Sequence, residues 1–191
     1  MIKKHVFLFW TYLLMVSGFS QTNKIFKSIE EAKQAPIDSV INLDLSGQRL
    51  KQIPLEILQF KKLQHLNLAK NKLTDLPESF HFNELTTLNL EKNKFTSFPD
   101  EICKLTELKQ LFIGRNEIAK IPACIGDLSE LIVLDVWLNV LVDLPDELMH
   151  LKKLEHLDLR GMNFNDKFQG AWNNRLSWVK IEFDKSCDCA Y

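Results

Sequence analysis

The side chains best able to do chemistry are four cysteines, five histidines and scattered carboxylates, and their spacing limits that chemistry. Cys187 and Cys189 stand one residue apart near the C-terminus. Such a pair suits a redox couple, two metal ligands or half of a disulfide framework. Two thiolates fall short of the four donors that a structural zinc ion takes, so cysteines that tie down the end of the fold are the preferred reading. Cys103 and Cys124 sit in adjacent units of a repeat that runs through the chain, where a bridge or two partly buried thiols would fit. His65 and His156 fall at one position of that repeat, four units apart. At the spacing of neighbouring strands this is about 19 Å, too far to share a metal. His156 and Asp158 share a strand face and read as polar surface. No G-x-x-x-x-G-K, H-E-x-x-H or G-x-S-x-G occurs. The expectation is a chain that is not an enzyme, with no catalytic residue, no metal site and no cofactor.

The repeat is what would position any functional group. Aligned on Leu-x-x-Leu-x-Leu, units start at Val40, Leu63, Leu85, Leu108, Leu131 and Leu154, at intervals of 22 or 23 residues. The alternating pairs, from Leu43 and Leu45 to Leu157 and Leu159, put two side chains on one face of a strand, and that face packs inward. Asn71, Asn93, Asn116 and Asn139 follow at a fixed offset, with Gln48 and Met162 in the terminal units. An amide carries both donors and an acceptor, so a stack of them can serve buried backbone groups of successive turns. Two further apolar columns precede Pro54, Pro77, Pro99, Pro122 and Pro145. Proline suits an extended turn or the opening of a short helix. Apolar pairs three apart, such as Ile102 and Leu105, fit one helical turn facing the core. The second unit is one residue short, where Phe80 and Phe82 sit.

The consensus L-x-x-L-x-L-x-x-N-x-L-x-x-[LI]-P-x-x-I-x-x-L resembles the leucine-rich-repeat family, in its 23-residue Ras-group (Leu-Pro) subtype in a bacterial exported form. The resemblance covers about residues 40–164. It implies an α/β solenoid: a right-handed superhelix with a concave parallel sheet and short turns or helices on the convex side. One unit cannot cover its own apolar face; stacking makes the core continuous.

Both flanks read as caps, an N-terminal helical one over 21–39 and a C-terminal helix and strand over 165–191. Ser28-Ile29-Glu30-Glu31 matches a capping box that opens a short helix, stopped at Pro36. Asp166 to Arg175 is expected to be helical, and Trp178 to Phe183 alternates as a closing strand. Phe168, Trp172 and Trp178 are expected to cover the last repeat. Residues 1–20 read as a cleaved export signal: Lys3 and Lys4 precede an apolar run from Val6 to Val16, and Gly18 and Ser20 fit a cleavage site. That run is short for a bilayer-spanning helix, so no stable membrane insertion is expected after cleavage. The chain is then periplasmic, at the cell surface or secreted. Cleavage leaves 22 of the 24 basic residues against 25 acidic ones, a mild acidity that supports solubility, and the charge balance gives no sign of a nucleic-acid partner, so none is expected.

Function in this architecture lies on outward strand positions. Most are polar, but units four and five carry Phe112, Val133, Trp137 and Leu138. A contiguous exposed apolar group of this kind marks an interaction site, with aromatics as anchors. Gln110, Asp135 and Arg160 are placed to rim it. The expected function is a non-catalytic module binding a protein, or alternatively a surface glycan, on the concave sheet. The rival readings are a structural envelope component without a dedicated ligand and, less favoured, an enzyme or the targeting arm of one. Lys70, Lys92 and Arg115 form a basic column at the strand exits, read as solvated turn residues that could also attract an acidic partner.

Overall fold

Alternating leucines build a single sheet. The computed structural model describes residues 24–184, so the export signal over 1–20 and the Cys187 and Cys189 pair lie outside the described residues. Eight strands pair in sequence order, all parallel. They are β1 (Ile25–Phe26), β2 (Asn42–Asp44), β3 (His65–Asn67), β4 (Thr87–Asn89), β5 (Gln110–Phe112), β6 (Val133–Asp135), β7 (His156–Asp158) and β8 (Lys180–Glu182). The register aligns Leu43, Leu66, Leu88, Leu111, Leu134, Leu157 and Ile181 in one row. The paired inward residues from Leu43 and Leu45 to Leu157 and Leu159 are at most 1% exposed. Truncating any of these leucines to alanine would cost about 2–5 kcal/mol.

Asparagine does what the stack of amides implied. Asn116 Nδ2 donates to the carbonyl oxygens of Leu90 at 3.2 Å and Ile113 at 2.9 Å, while its Oδ1 accepts from Phe95 N at 3.1 Å. Asn71, Asn93 and Asn139 repeat the pattern. Each amide joins its own turn to the preceding unit. Gln48, in the first unit, uses its longer side chain to donate to Lys27 O at 2.8 Å, toward the cap.

The residue just before this position is left-handed in every unit: Gly47, Lys70, Lys92, Arg115, Leu138 and Gly161 have φ of 48 to 83°. Glycine takes this conformation freely; the four middle residues take it at a cost of about 1 kcal/mol each. The turn brings their N–H groups onto the next unit, as in Arg115 N to Trp137 O at 2.7 Å.

On the convex side, 3-10 helices span Leu55–Gln59, Asp100–Lys104, Ala123–Asp127 and Asp146–His150. The proline sits just before each one with an extended backbone, and its carbonyl accepts the first turn's N–H, as in Ile102 N to Pro99 O at 3.1 Å. The shortened second unit has a bare turn instead. There Phe80 and Phe82, both buried, meet edge to face at 5.1 Å and fill the volume a helix would have taken. Cys103 and Cys124, left open by the sequence, form a disulfide between two adjacent 3-10 helices, with Cα atoms 5.7 Å apart.

The N-terminal cap is the helix α1 (Ile29–Lys33), with Ser28 Oγ accepting from Glu31 N at 3.0 Å. Glu31 in turn accepts from Lys27 N at 2.8 Å, which holds its carboxyl below the usual range with help from Lys24. The sequence did not suggest β1, which pairs with β2 and moves the sheet edge outward. At the other end, α2 (Asp166–Arg175) starts at Asn165, whose Oδ1 accepts from Phe168 N at 2.9 Å. Gly161 has no seventh unit to meet. Its N–H donates instead to the Asp184 carboxylate at 2.7 Å. Phe168 stacks on Phe164 and Trp172 is buried, as expected. Trp178 departs from expectation: it is 41% exposed, under the Lys152 ammonium at 4.5 Å, and Leu176 and Val179 close the core in its place.

Candidate functional site

The central outward column of the sheet is Asp44, Asn67, Asn89, Phe112, Asp135 and Asp158, in register. Five of these residues turn their side-chain oxygen back onto the N–H two residues ahead. Asp44 accepts from Ser46, Asn67 from Ala69, Asn89 from Glu91, Asp135 from Trp137 and Asp158 from Arg160, at 2.9 to 3.2 Å. A column expected to be solvated is therefore a second ladder that ends the strands, a use typical of short Asx side chains. Phe112 is the exception. Its ring has no such duty, so it projects between Asn89 and Asp135 as a half-buried aromatic.

Phe112 divides the concave face into two depressions. One holds about 230 Å³ and includes Ile25, Asn42, His65, Thr87 and Asn89 in its lining. The other holds about 400 Å³ and is lined by Val133, Asp135, His156, Asp158, Arg160 and Glu182 among others. Small-molecule sites usually hold roughly 300–1,000 Å³. These are at or below the low end, and suit individual side chains of a macromolecule.

The structure thus brings Phe112, Val133, Asp135 and Arg160 to one depression and sets Gln110, Trp137 and Leu138 outside its lining. Gln110 Oε1 accepts from Thr87 Oγ1 at 3.3 Å on the preceding strand. Trp137 lies over Gly114, with the Arg115 guanidinium 5.3 Å from its ring, at the rim of the face. Leu138, expected in the same apolar group, sits on the left-handed turn beyond the strand and packs over Gly161. Gly114 and Gly161 are the residues the sequence reading missed. Both are small where the Trp137-Leu138 pair needs room, and a glycine in an outward position beside a tryptophan was the available signal.

Charge is distributed unevenly. Burial pushes the Asp135 carboxyl up to about 6, opposed by the Trp137 N–H and reinforced by the carboxylates of Asp158 and Glu91. Arg160 pairs with Asp158, its Nε donating to Oδ1 at 2.9 Å, and lies 3.4 Å from Glu182, so its guanidinium is held charged. His65 and His156 stand on β3 and β7, with three strands between them. Among the described residues, no group of three or more His, Cys, Asp or Glu is placed to hold a metal, and no helix is long and apolar enough to cross a membrane.

Open parallel sheet, convex 3-10 turns and asparagine ladder together define an α/β solenoid of leucine-rich repeats. Residues 39–94 match the family model "Leucine rich repeat", and residues 84–105 match a second leucine-rich-repeat model. The chain is 36% identical over 123 residues to the mouse leucine-rich repeat and calponin homology domain-containing protein 1, covering 64% of this chain and 14% of that protein. Among solved structures, it is similar to a leucine-rich-repeat protein of Leptospira interrogans, with a TM-score of 0.67 and 29% identity over 85% of this chain and 48% of that one. It shares the fold of an internalin C2 of Listeria monocytogenes, with a TM-score of 0.69 and 23% identity over 83% of this chain and 66% of that one. The chain thus spans a small part of the mouse protein and about half of the Leptospira one. Leucine-rich-repeat models thus match residues 39–105, and the chain shares the fold of these leucine-rich-repeat structures.

Proposed function

We propose that this chain is an exported, non-catalytic binding module that holds a protein partner on its concave sheet, and that its repeats are of the Ras-group (Leu-Pro) subtype. One observation carries the reading: Phe112 is the aromatic of a column whose other members are spent on capping the strands. It has a side-chain-sized depression on either side. A rigid preformed face limits the ordering cost of association. Val133, Asp135 and Arg160 form the wall on one side of Phe112. Gln110 and Trp137 contribute at the rim, while Leu138 lies beyond it on the turn over Gly161. The half-buried Asp135 carboxylate beside Phe112, ionised above about pH 6, favours a partner that brings a hydrogen-bond donor there. The Leu-Pro subtype rests on the proline that ends each apolar column. Export rests on the apolar 1–20 segment and on the Cys103–Cys124 bridge, since disulfides persist in oxidising compartments.

The test is affinity capture from the native envelope and secretome with the wild type and a Phe112→Ala/Trp137→Ala double variant. A partner retained by the wild type and lost by at least about thirtyfold in affinity on the variant, the scale of a hot spot, is the expected result. Equal retention by both would remove the concave face from the function. Capture of a glycan alone would support the alternative ligand class, and no partner at all the structural role. Cell fractionation tests export separately: the chain is expected outside the cytoplasm with residues 1–20 missing.

A further inference from the structure

We propose that the flank where the chain leaves the sheet is a second binding surface, for an acidic extended segment of a protein with an apolar end. This flank is distinct from the concave face. Its columns are stacked by the backbone: Lys72 N donates to Leu50 O, Lys94 N to Leu73 O, Glu117 N to Phe95 O and Val140 N to Ile118 O, at 2.8 to 3.0 Å. The left-handed column of Lys70, Lys92, Arg115 and Leu138 runs beside it, and the turn geometry holds these residues outward.

Along these columns the chemistry runs from cationic in units one to three, through the exposed Glu117 of unit four, to apolar in unit five. In the first three units the flank is cationic. Arg49, Lys51, Lys70, Lys72, Lys92 and Lys94 are exposed and make no ion pair among the described residues. A depression between Lys51, Lys72 and Lys94 is completed by Gln52 and Thr74, with no carboxylate in its lining. Unpaired cations gathered this way attract an anionic partner and steer its approach. In unit five the same columns become apolar. Leu138, Val140 and Val142 are 41, 54 and 80% exposed, and Val142 and Ala119 line a further depression. Among the described residues, nothing covers them.

The dimensions fit a peptide. Four strand spacings separate units one and five, about 19 Å, which about six extended residues span. Single-stranded nucleic acid would want exposed aromatics for its bases, and the aromatics of this flank, Phe95 and Phe98, are buried. A membrane surface would want a broad apolar face with large side chains, and the valines offer a narrow one.

The experiment uses the full chain and fluorescence anisotropy with a labelled peptide of four glutamates followed by Val-Leu-Val. Binding is expected, weakened about tenfold or more by Lys72→Glu/Lys94→Glu and about threefold or more by Val142→Asp. Raising the salt from about 50 to about 500 mM should weaken it, as exposed charges require. A glutamine-for-glutamate peptide should not bind. Phe112→Ala, which tests the concave face, should leave this binding unchanged. The proposal is overturned by an unaffected charge-reversal variant, by absence of peptide binding, or by equal or tighter binding of a ten-nucleotide RNA or of phosphatidylserine vesicles. Circular dichroism of each variant keeps a folding defect from being read as lost binding.

Discussion

The indole of Trp137 occupies the space that a side chain at Gly114 would need. A Cβ built at Gly114 would stand 2.2 Å from Trp137 Cδ1, 2.5 Å from Nε1 and 2.9 Å from Asp135 Oδ1. The backbone of Gly114 is not left-handed, so space rather than conformation requires the glycine there. Gly114→Ala must therefore displace the indole, at a cost of about 1–2 kcal/mol for overpacking. In a Trp137→Ala background the same change should cost clearly less, because only the 2.9 Å approach to Asp135 Oδ1 remains. Urea denaturation of the four proteins gives the coupling directly. Equal costs in both backgrounds would mean that the two residues do not compete for this space.

Asn116 anchors the middle of the amide ladder, 7% exposed and bonded to four backbone groups of two units. Asn116→Leu keeps the branching, adds bulk, and orphans Phe95 N–H together with acceptor capacity at Leu90 and Ile113. Leaving buried polar groups unpaired costs about 1–3 kcal/mol each, so a loss of about 3 kcal/mol or more is expected in chemical denaturation. A loss below about 1 kcal/mol would show that these groups find other partners.

The repeat made the fold legible because each column has one physical duty, repeated until chance is excluded. Leu43 to Leu159, the Asn ladder and α2 all lie where spacing and capping residues put them. β1 was not legible: Ile25–Phe26 is two residues long, too short for any alternation to register. The site was legible in part. Phe112 broke a polar column and could be seen to do so. The capping role of Asp135 and Asp158 could not, since an aspartate facing water and one turned onto its own backbone read alike. Leu138 was misplaced because a left-handed turn redirects its side chain, and four of six units fill that turn with a residue other than glycine.

The Cys103–Cys124 bridge closes a loop of 21 residues in sequence separation between two convex turns. Loop-closure entropy for a loop of this size is worth about 3 kcal/mol. Cys103→Ser/Cys124→Ser is expected to lose that much in urea denaturation under oxidising conditions. Adding reductant should lower the stability of the wild type by about that much more than it lowers that of the double variant, which keeps Cys187 and Cys189. A variant as stable as the wild type would remove the bridge from the energetics of the solenoid.

Asp135 makes stability depend on pH in a direction opposite to that of a salt-bridged carboxylate. Burial raises its pKa in the fold to about 6, against 3.8 for the free group. Between those values the folded state holds a proton that the unfolded chain has released, so stability falls as pH rises through the window and the full penalty is present above it. Asp135→Asn removes the charge and keeps an oxygen for the Trp137 N–H, as Asn67 and Asn89 do for their own turns. The full shift would correspond to nearly 3 kcal/mol at 1.36 kcal/mol per pH unit, but the side chain is only half-buried and solvent screens it, so about 1 kcal/mol is expected. The variant should be more stable than the wild type at pH 7.5, with the gap closing by about pH 4. Thermal melts of both proteins across that range check it. A gap that is constant with pH would mean that packing or hydrogen bonding, and not the buried charge, separates them.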